Sequence, residues 1–355
     1  MITMDTTFDI RHCEQSAISQ VDFDNIAFGK VFSDHLFVMD YVDGKWQKGS
    51  IEPFGPMTMS PASMVLHYGQ AIFEGMKAYR QQDGGVSMFR PGDNIKRFNL
   101  SAQRMCMPDV PEDIFMQALV ELIGLDNKWV PSSDEASLYV RPFMFATDSH
   151  VGVRASHSYR FMIFTCPVGA YYSKPVRVKV EKKYTRAVMG GTGAAKAAGN
   201  YAGSLLPTKL AGKEGYDQLL WTDADSHSFI EECGTMNAAF IVDGKMLMPS
   251  LSDTVLDGVT RKSAIQLIKD MGIEVEERPI SVAELEEAAK AGTLEEAFGL
   301  GTAATVSVMS AIGFGDWDFD LPDTTTWTVA PKLKNALESI RRGSAEDTYG
   351  WNIPV

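Results

Sequence analysis

GGTGAAKAAGNY, residues 190–201, sets one lysine, Lys196, among small residues with no other charge in the segment. Small neighbours let a flat ligand approach the backbone and leave room around the amine. A lysine held in a dry, crowded site loses proton affinity and becomes a nucleophile for carbonyls. Alone, the segment reads slightly better as a glycine-rich loop with a solvent-facing lysine. Spacing excludes a P-loop, because Ala195 and Ala197 flank Lys196 where that motif needs Gly before and Ser or Thr after. The G-x-G-x-x-G dinucleotide spacing is absent as well.

Around this segment lies a chain of 355 residues, long for one compact unit, so two domains are expected. A hydrophobic fraction of 45% is enough for real cores, and a charged fraction of 22% gives no sign of disorder. The formal net charge of −13 speaks against nucleic acid or an anionic membrane as partner, since both need a basic footprint. Any anionic ligand must find its own local positive groups. Cys13, Cys106, Cys166 and Cys233 form no CxxC pair and have no His at metal-ligand spacing. They are expected to be reduced thiols packed as small hydrophobes, with no metal bound. MITMDTTFDIRHCEQ lacks a basic stretch followed by an apolar run, and no segment reaches membrane-spanning length free of charge. The cytoplasm is the expected compartment.

Upstream, VFSDHLFVMDY and SMFRP read as strands. PGDNIKRFNLSAQRM opens with Pro91 and Asp93 as helix-start signals and repeats Ile95, Phe98 and Ala102 on one face. PEDIFMQALVELIGL places Ile114, Ala118 and Leu122 on one stripe, with Phe115, Leu119 and Ile123 beside it. SLYVRPFMFAT and YRFMIFTCPV read as buried strands. AYYSKPVRVKVEKK alternates Val176, Val178 and Val180 with charge and reads as the connection between two domains or as an edge strand. Downstream, FIVDGKMLMP is a hairpin turning at Asp243-Gly244. LDGVTRKSAIQLIKDMG is a helix with Ala264, Leu267, Ile268 and Met271 on one face, closed by Gly272. Ser281 and Glu284 form a capping-box pattern.

Three further segments offer chemistry. In FIEECGTMNAAF, Glu231 and Glu232 precede a small hydroxyl-bearing turn, and a carboxylate facing a pyridine nitrogen would keep it protonated. Taken alone, the segment reads better as a surface Glu pair before a turn. Arg90, just before a helix start, could join backbone N–H groups around a phosphate dianion. Gly258, Val259 and Thr260 open another helix with N–H donors and a hydroxyl, and GLGTAAT around Thr302 is a third turn of small residues. Most helix starts bind only water.

Taken in order, FGKVFSDHLF, HYGQAIFEGMKAYR, FRPGDNIKRF, LYVRPFMFAT, TCPVGAYY, GGTGAAKAAGNYAGSLLP, EECGTMNAAF, LDGVTRKSAI and FGLGTAATVS resemble the branched-chain amino-acid aminotransferases of the class IV pyridoxal-phosphate enzymes. The matching segments run from about Phe28 to Ser307, and the closing YGWNIPV is family-like too. The resemblance implies a mixed α/β (α+β) fold with a smaller N-terminal domain at 1–170, a linker at 171–183 and a larger cofactor-binding domain at 184–355. The cofactor, pyridoxal 5'-phosphate, would lie between the domains, and the chain would form a homodimer.

It also implies roles. Lys196 would carry the cofactor and shuttle the substrate proton. Glu232 would pair with the ring nitrogen and Tyr201 with the ring oxygen, while Thr235 would sit close by. Arg90, the Val259 and Thr260 amides, the Thr260 hydroxyl and Thr302 would hold the phosphate. Tyr68 and the Thr302–Ala303 turn would receive the amino-acid carboxylate. Phe32, Phe73 and Tyr139 would wall the branched side chain, and Arg141 would take the distal carboxylate of 2-oxoglutarate or glutamate. A buried structural salt bridge is the other reading of Arg141.

The sequence departs from the family in two places. Ala304 and Ser307 stand where mammalian members carry a CxxC, and Asp257 stands where many members have Pro. That carboxylate could cap the following helix or repel a phosphate. The implied reaction is reversible amino transfer from L-leucine, L-isoleucine or L-valine to 2-oxoglutarate. Two rivals keep the fold: D-amino-acid amino transfer, and the aminodeoxychorismate lyase reaction. A third is a pyridoxal-phosphate-binding protein without turnover.

Overall fold

The computed structural model describes residues 8–23, 25–169 and 174–355. The chain divides into two compact units, Met1–Tyr171 together with Arg341–Val355, and Tyr172–Ile340.

Among the described residues, the first unit has a ten-stranded sheet. Its order is Asp9–Ile10, Ser50–Pro53, His35–Val42, Tyr159–Val168, Ser137–Ala146, Met76–Arg80, Val86–Phe89 and Asn352–Pro354, with Lys45–Trp46 and Ala71–Phe73 paired off this path. The helices Pro91–Arg104 and Glu112–Leu125 cover one face, and the apolar stripes read from sequence point inward. Ile95, Phe98, Ala102, Phe115, Leu119 and Ile123 are fully buried, with Phe98 and Phe115 against Phe161 at 5.5 and 5.8 Å between ring centres. Burial of each large side chain here stabilises the unit by about 1.5–3 kcal/mol. Period-two alternation along Ser137–Ala146 sends Leu138, Val140 and Met144 into this core. Tyr139, Arg141, Phe143 and Phe145 therefore share the opposite face.

Glu74, fully buried, accepts from Arg97 Nε at 2.7 Å, Arg97 Nη2 at 2.8 Å and Asn94 Nδ2 at 2.8 Å. The pair fastens the turn after Ala71–Phe73 to the helix that begins beside Arg90. A buried ion pair adds little net stability, but removing one partner costs about 3–5 kcal/mol.

The second unit holds a nine-stranded sheet among the described residues. Its order is Ile230–Cys233, Gln218–Thr222, Val176–Val180, Thr305–Gly313, Leu294–Gly301, Met236–Val242, Lys245–Met248 and Val275–Glu277, with Asp318–Asp320 paired to Thr305–Gly313. Ile230–Cys233 also pairs with Met236–Val242, so six of these strands close into a ring. Closure removes free edges, and Glu232 sits in the strand that completes it, opposite Asn237. The hairpin at Asp243-Gly244 forms with both residues at positive φ, 48° and 72°, the backbone that matches strand twist. Ser281 Oγ accepts from Glu284 N at 3.0 Å, while the Glu284 carboxylate turns to Arg278 instead of completing the box.

Four expectations need correction. Val176–Val180 is an interior strand with parallel partners on both sides, and residues 171–173 of the expected 171–183 linker lie outside the described residues. Its charges are paired at the surface: Arg177 meets Asp318 and Asp320, and Lys179 meets Glu214. The C-terminal residues do not stay with the second unit, because Asn352–Pro354 adds a strand beside Val86–Phe89. The units are consequently of similar size, not a small one followed by a larger one. Lastly, Cys106 is exposed, whereas Cys166 and Cys233 are buried as expected.

Candidate active site

Lys196 lies half-buried just before the helix Ala198–Lys213, whose first turn supplies Tyr201. Its Nζ donates to the Tyr201 hydroxyl at 2.7 Å and lies 5.0 Å from the ring centre. Asn200 folds back to the loop, its Nδ2 donating to Thr192 O at 2.7 Å and Ala195 O at 2.9 Å. The glycine-rich stretch is thus a tied-down loop and its lysine points to a tyrosine rather than open water.

Strand alternation separates the two glutamates. Glu232 is 3% exposed, accepts from the Leu256 amide at 2.7 Å and has Arg186 Nε 3.3 Å from its other oxygen. A guanidinium and an amide N–H are both partners for an anionic carboxylate. Burial pushes the Glu231 carboxyl up, a hydrogen bond from Thr254 and the Arg186 charge pull it back, and the Glu232 charge adds to the rise. Burial and the Glu232 charge push the Cys233 thiol up to about 12, so it is a packing group and not a nucleophile.

Tyr201 and Glu232 line one pocket, together with Arg186, Asn200, Ser204, Gly234 and Thr235. Gly234 turns the hairpin at φ 56°, and Trp221 Nε1 fixes it by donating to Gly234 O at 2.9 Å. Thr235 stands exposed at the tip.

Leu256 leads into the helix Val259–Asp270, capped by Gly258 with no side chain across its first turn. Val259 and Thr260 are buried there, and their amides head the helix dipole. Asn237 passes so close to Gly258 that an added Cβ would collide with its Oδ1, while its Nδ2 donates to Leu256 O at 2.8 Å. Asp257 turns to Lys262 rather than capping the helix. Its carboxylate meets Lys262 Nζ at 2.6 Å, which offsets the repulsion it would exert on a phosphate. Thr302 and Ala303 form the turn joining Leu294–Gly301 to Thr305–Gly313.

The remaining expected residues belong to the first unit. Arg90 holds a positive φ of 53° at the start of Pro91–Arg104, donates to Asp93 at 2.9 Å and stacks 5.0 Å over Trp351 of YGWNIPV. Arg141 lies 4.7 Å from the Phe73 ring centre and 5.2 Å from that of Tyr139, and its Nη2 donates to the Tyr139 hydroxyl at 2.8 Å. Among the described residues it makes no ion pair, so the structural salt bridge does not form. Phe28 packs on Tyr139 at 5.2 Å, and Phe32 joins the same cluster while stacking on Phe54 at 4.7 Å. Gly75 is required beside this group, since a Cβ would strike the Tyr139 hydroxyl. Tyr68 is 38% exposed at the end of Met64–Tyr68, with its ring 6.1 Å from His67.

Sequence reading missed Arg186, Asn237, Phe28 and Lys77. The first three carry no local pattern. Lys77 is 9% exposed and directly opposite Tyr139, which sets it on the face that bears Arg141. A lysine inside the otherwise apolar run GMKAY was the available signal.

A lysine bonded to a tyrosine, a buried carboxylate and a bare helix start, all within the second unit, are the parts a cofactor-dependent amino-group enzyme needs. The profile of the amino-transferase class IV family matches residues 71–311, and the chain belongs to that family. It is 43% identical over 338 residues to branched-chain-amino-acid aminotransferase 2 of Bacillus subtilis (strain 168), covering 94% of this chain and 93% of that one. Branched-chain-amino-acid transaminase 1 of the same organism is 45% identical over 339 residues, covering 94% and 95%. Among solved structures, the Escherichia coli branched-chain amino acid aminotransferase superposes with a TM-score of 0.72 at 27% identity over 88% of this chain and 98% of that one. The T.th. branched-chain amino acid aminotransferase complexed with N-(5'-phosphopyridoxyl)-L-glutamate gives 0.71 at 26% identity over 89% and 97%.

Proposed function

We propose that this chain is a pyridoxal-phosphate-dependent branched-chain amino-acid aminotransferase. It moves the amino group of L-leucine, L-isoleucine or L-valine reversibly to 2-oxoglutarate, giving the branched 2-oxo acid and L-glutamate. The observation that carries this reading is Arg141, a cation stacked in an aromatic wall and, among the described residues, without an ion-pair carboxylate. An enzyme of this kind must accept a branched apolar side chain and an anionic one in turn. Phe32, Phe73 and Tyr139 suit the first, and the guanidinium suits the second.

The residues fit pyridoxal phosphate. Lys196 offers an amine next to a phenol, Glu232 a buried carboxylate in the same pocket as Tyr201, and Gly258 a helix start with no side chain capping its amides. When bound, the cofactor supplies an electron sink that stabilises the carbanion left by loss of the Cα proton. Lys196 holds the cofactor, takes that proton and returns it. The Tyr201 hydroxyl orients Nζ and serves the ring oxygen, and Thr235 supports the site from its turn. Glu232, backed by Arg186, pairs with the ring nitrogen. Val259, Thr260, Thr302 and Arg90 are assigned to the phosphate. Tyr68 and the Thr302–Ala303 turn are assigned to the substrate carboxylate.

The chain is proposed to act as a homodimer in the cytoplasm, without nucleic-acid or membrane partners. Among the described residues no helix is long and apolar enough to cross a membrane.

The test is a visible-absorption titration of the holoprotein with L-leucine, L-isoleucine, L-valine and D-alanine, with no oxo acid present. Conversion to the pyridoxamine form by the branched L-amino acids alone supports the reading, and conversion by D-alanine alone defeats it. Pyruvate release without an acceptor would mean the lyase. Arg141→Met is expected to raise KM for 2-oxoglutarate about 10–100-fold, the value of a charge-assisted hydrogen bond, while the L-leucine half-reaction stays close to normal. Equal loss for both substrates would remove Arg141 from that role. Gly258→Ala should displace Asn237 and weaken pyridoxal-phosphate affinity about tenfold, read as the rate of cofactor loss on dilution. Unchanged retention would show that the helix start does not carry the phosphate.

A further inference from the structure

The turn carrying Thr302 and Ala303 is held by an uncommon device. Its two strands pair antiparallel with Gly301 opposite Thr305. Thr305 has φ +60°, the left-handed region that favours glycine, where a β-branched side chain crowds its own backbone. It is also buried, at 3% exposure. Strain of this kind persists only where the surroundings over-determine it. Here the Thr305 hydroxyl donates to Glu338 Oε1 at 3.2 Å, from the helix Val329–Arg341.

That helix is fastened to the same hairpin at its other end. Glu296, 4% exposed in Leu294–Gly301, accepts from the amides of Thr328, Val329 and Ala330 at 2.7, 2.8 and 2.7 Å. The helix runs about 14 Å from Val329 to Glu338 and the strand about 17 Å from Glu296 to Gly301, so both clamps fall in register. One clamp lies at the far end of the strand and the other beside the turn. A glycine at 305 would adopt the same φ without strain, yet it would have no hydroxyl to reach Glu338.

We infer that Glu338 is a positioning residue: through Thr305 it fixes the Thr302–Ala304 turn in the geometry that receives anions. The inference rests on the functional reading above, which assigns that turn to the cofactor phosphate and the substrate carboxylate. Preorganised donors lose less freedom on binding, so the effect falls on affinity and not on the chemical step.

Three variants of the holoprotein test it: Glu338→Ala, Glu338→Gln and Thr305→Gly. The measurements are cofactor loss on dilution, KM and kcat with L-leucine and 2-oxoglutarate, and Tm. Glu338→Ala is expected to speed cofactor loss several-fold and to raise both KM values about tenfold, with kcat within about twofold, the size of one lost hydrogen bond. Glu338→Gln keeps the acceptor and should restore all three. Thr305→Gly should shift both KM values as Glu338→Ala does while Tm does not fall, a combination that loss of stability alone cannot produce. The inference is overturned if Glu338→Ala lowers Tm but leaves KM and cofactor loss at wild-type values, or if Glu338→Gln fails as fully as alanine. Should the wild-type holoprotein transfer no amino group, the functional reading falls and the cofactor-loss rates still decide the role of Glu338.

Discussion

Lys196→Ala is expected to abolish turnover, lowering kcat by at least about 10⁴-fold, because it removes the cofactor-bearing amine and the proton carrier together. Tyr201, the hydrogen-bond partner of Nζ, cannot substitute, since a phenol does not form the imine that an amine forms with a carbonyl. Cofactor uptake should survive in weakened form. Glu232, Arg186 and the Val259–Thr260 helix start do not depend on the lysine for their positions, being held by Leu256, Asn237 and Thr254. Small added amines should restore a trace of activity. Near-normal turnover without them would mean that Lys196 is not the catalytic residue.

Glu232→Gln should follow, with kcat down about 100–1,000-fold and a bound cofactor. Removing one member of a buried ion pair costs about 3–5 kcal/mol, and a neutral amide gives no charge to a protonated ring nitrogen. The same change leaves Arg186, with a side chain only 8% exposed, beside an uncharged partner, so Tm should fall as well. Stability and chemistry are separable here: Arg186→Met should lower Tm by a similar amount and reduce kcat less. If Glu232→Gln lost stability but kept kcat, the carboxylate would be structural and the ring nitrogen would need another partner.

Much of this site is legible in sequence because each part is local. Lys196 and Tyr201 share one loop and one helix turn, and Glu232 with Thr235 share one hairpin. The buried stripes of Pro91–Arg104 and Glu112–Leu125 follow helical period, so spacing alone reveals them. What escapes depends on distant partners. Val176–Val180 looks like a connection because Arg177 and Lys179 interrupt it, and nothing nearby reveals that Asp318, Asp320 and Glu214 neutralise them. Arg186 sits in KKYTRAV, an ordinary basic stretch, and gains meaning only against Glu232. Arg141 has two readings in sequence, because one of the two aromatic rings it stacks on, Phe73, comes from a distant segment. The fate of Asp257 turns on Lys262, five residues on, a spacing outside the i,i+3 and i,i+4 pairs that a helix brings together.

The strand Asn352–Pro354, paired to Val86–Phe89, makes the second unit an insertion within the first. On a ribosome this order matters. Val86–Phe89 emerges long before its neighbour is translated, by roughly 10–50 s at ordinary elongation rates. Through that interval the whole second unit can fold as a finished ring while the first still shows an open sheet edge. The nascent chain is therefore open to pairing with another copy of itself at Val86–Phe89, and emergence of Asn352–Pro354 from the exit tunnel is the event that closes the risk.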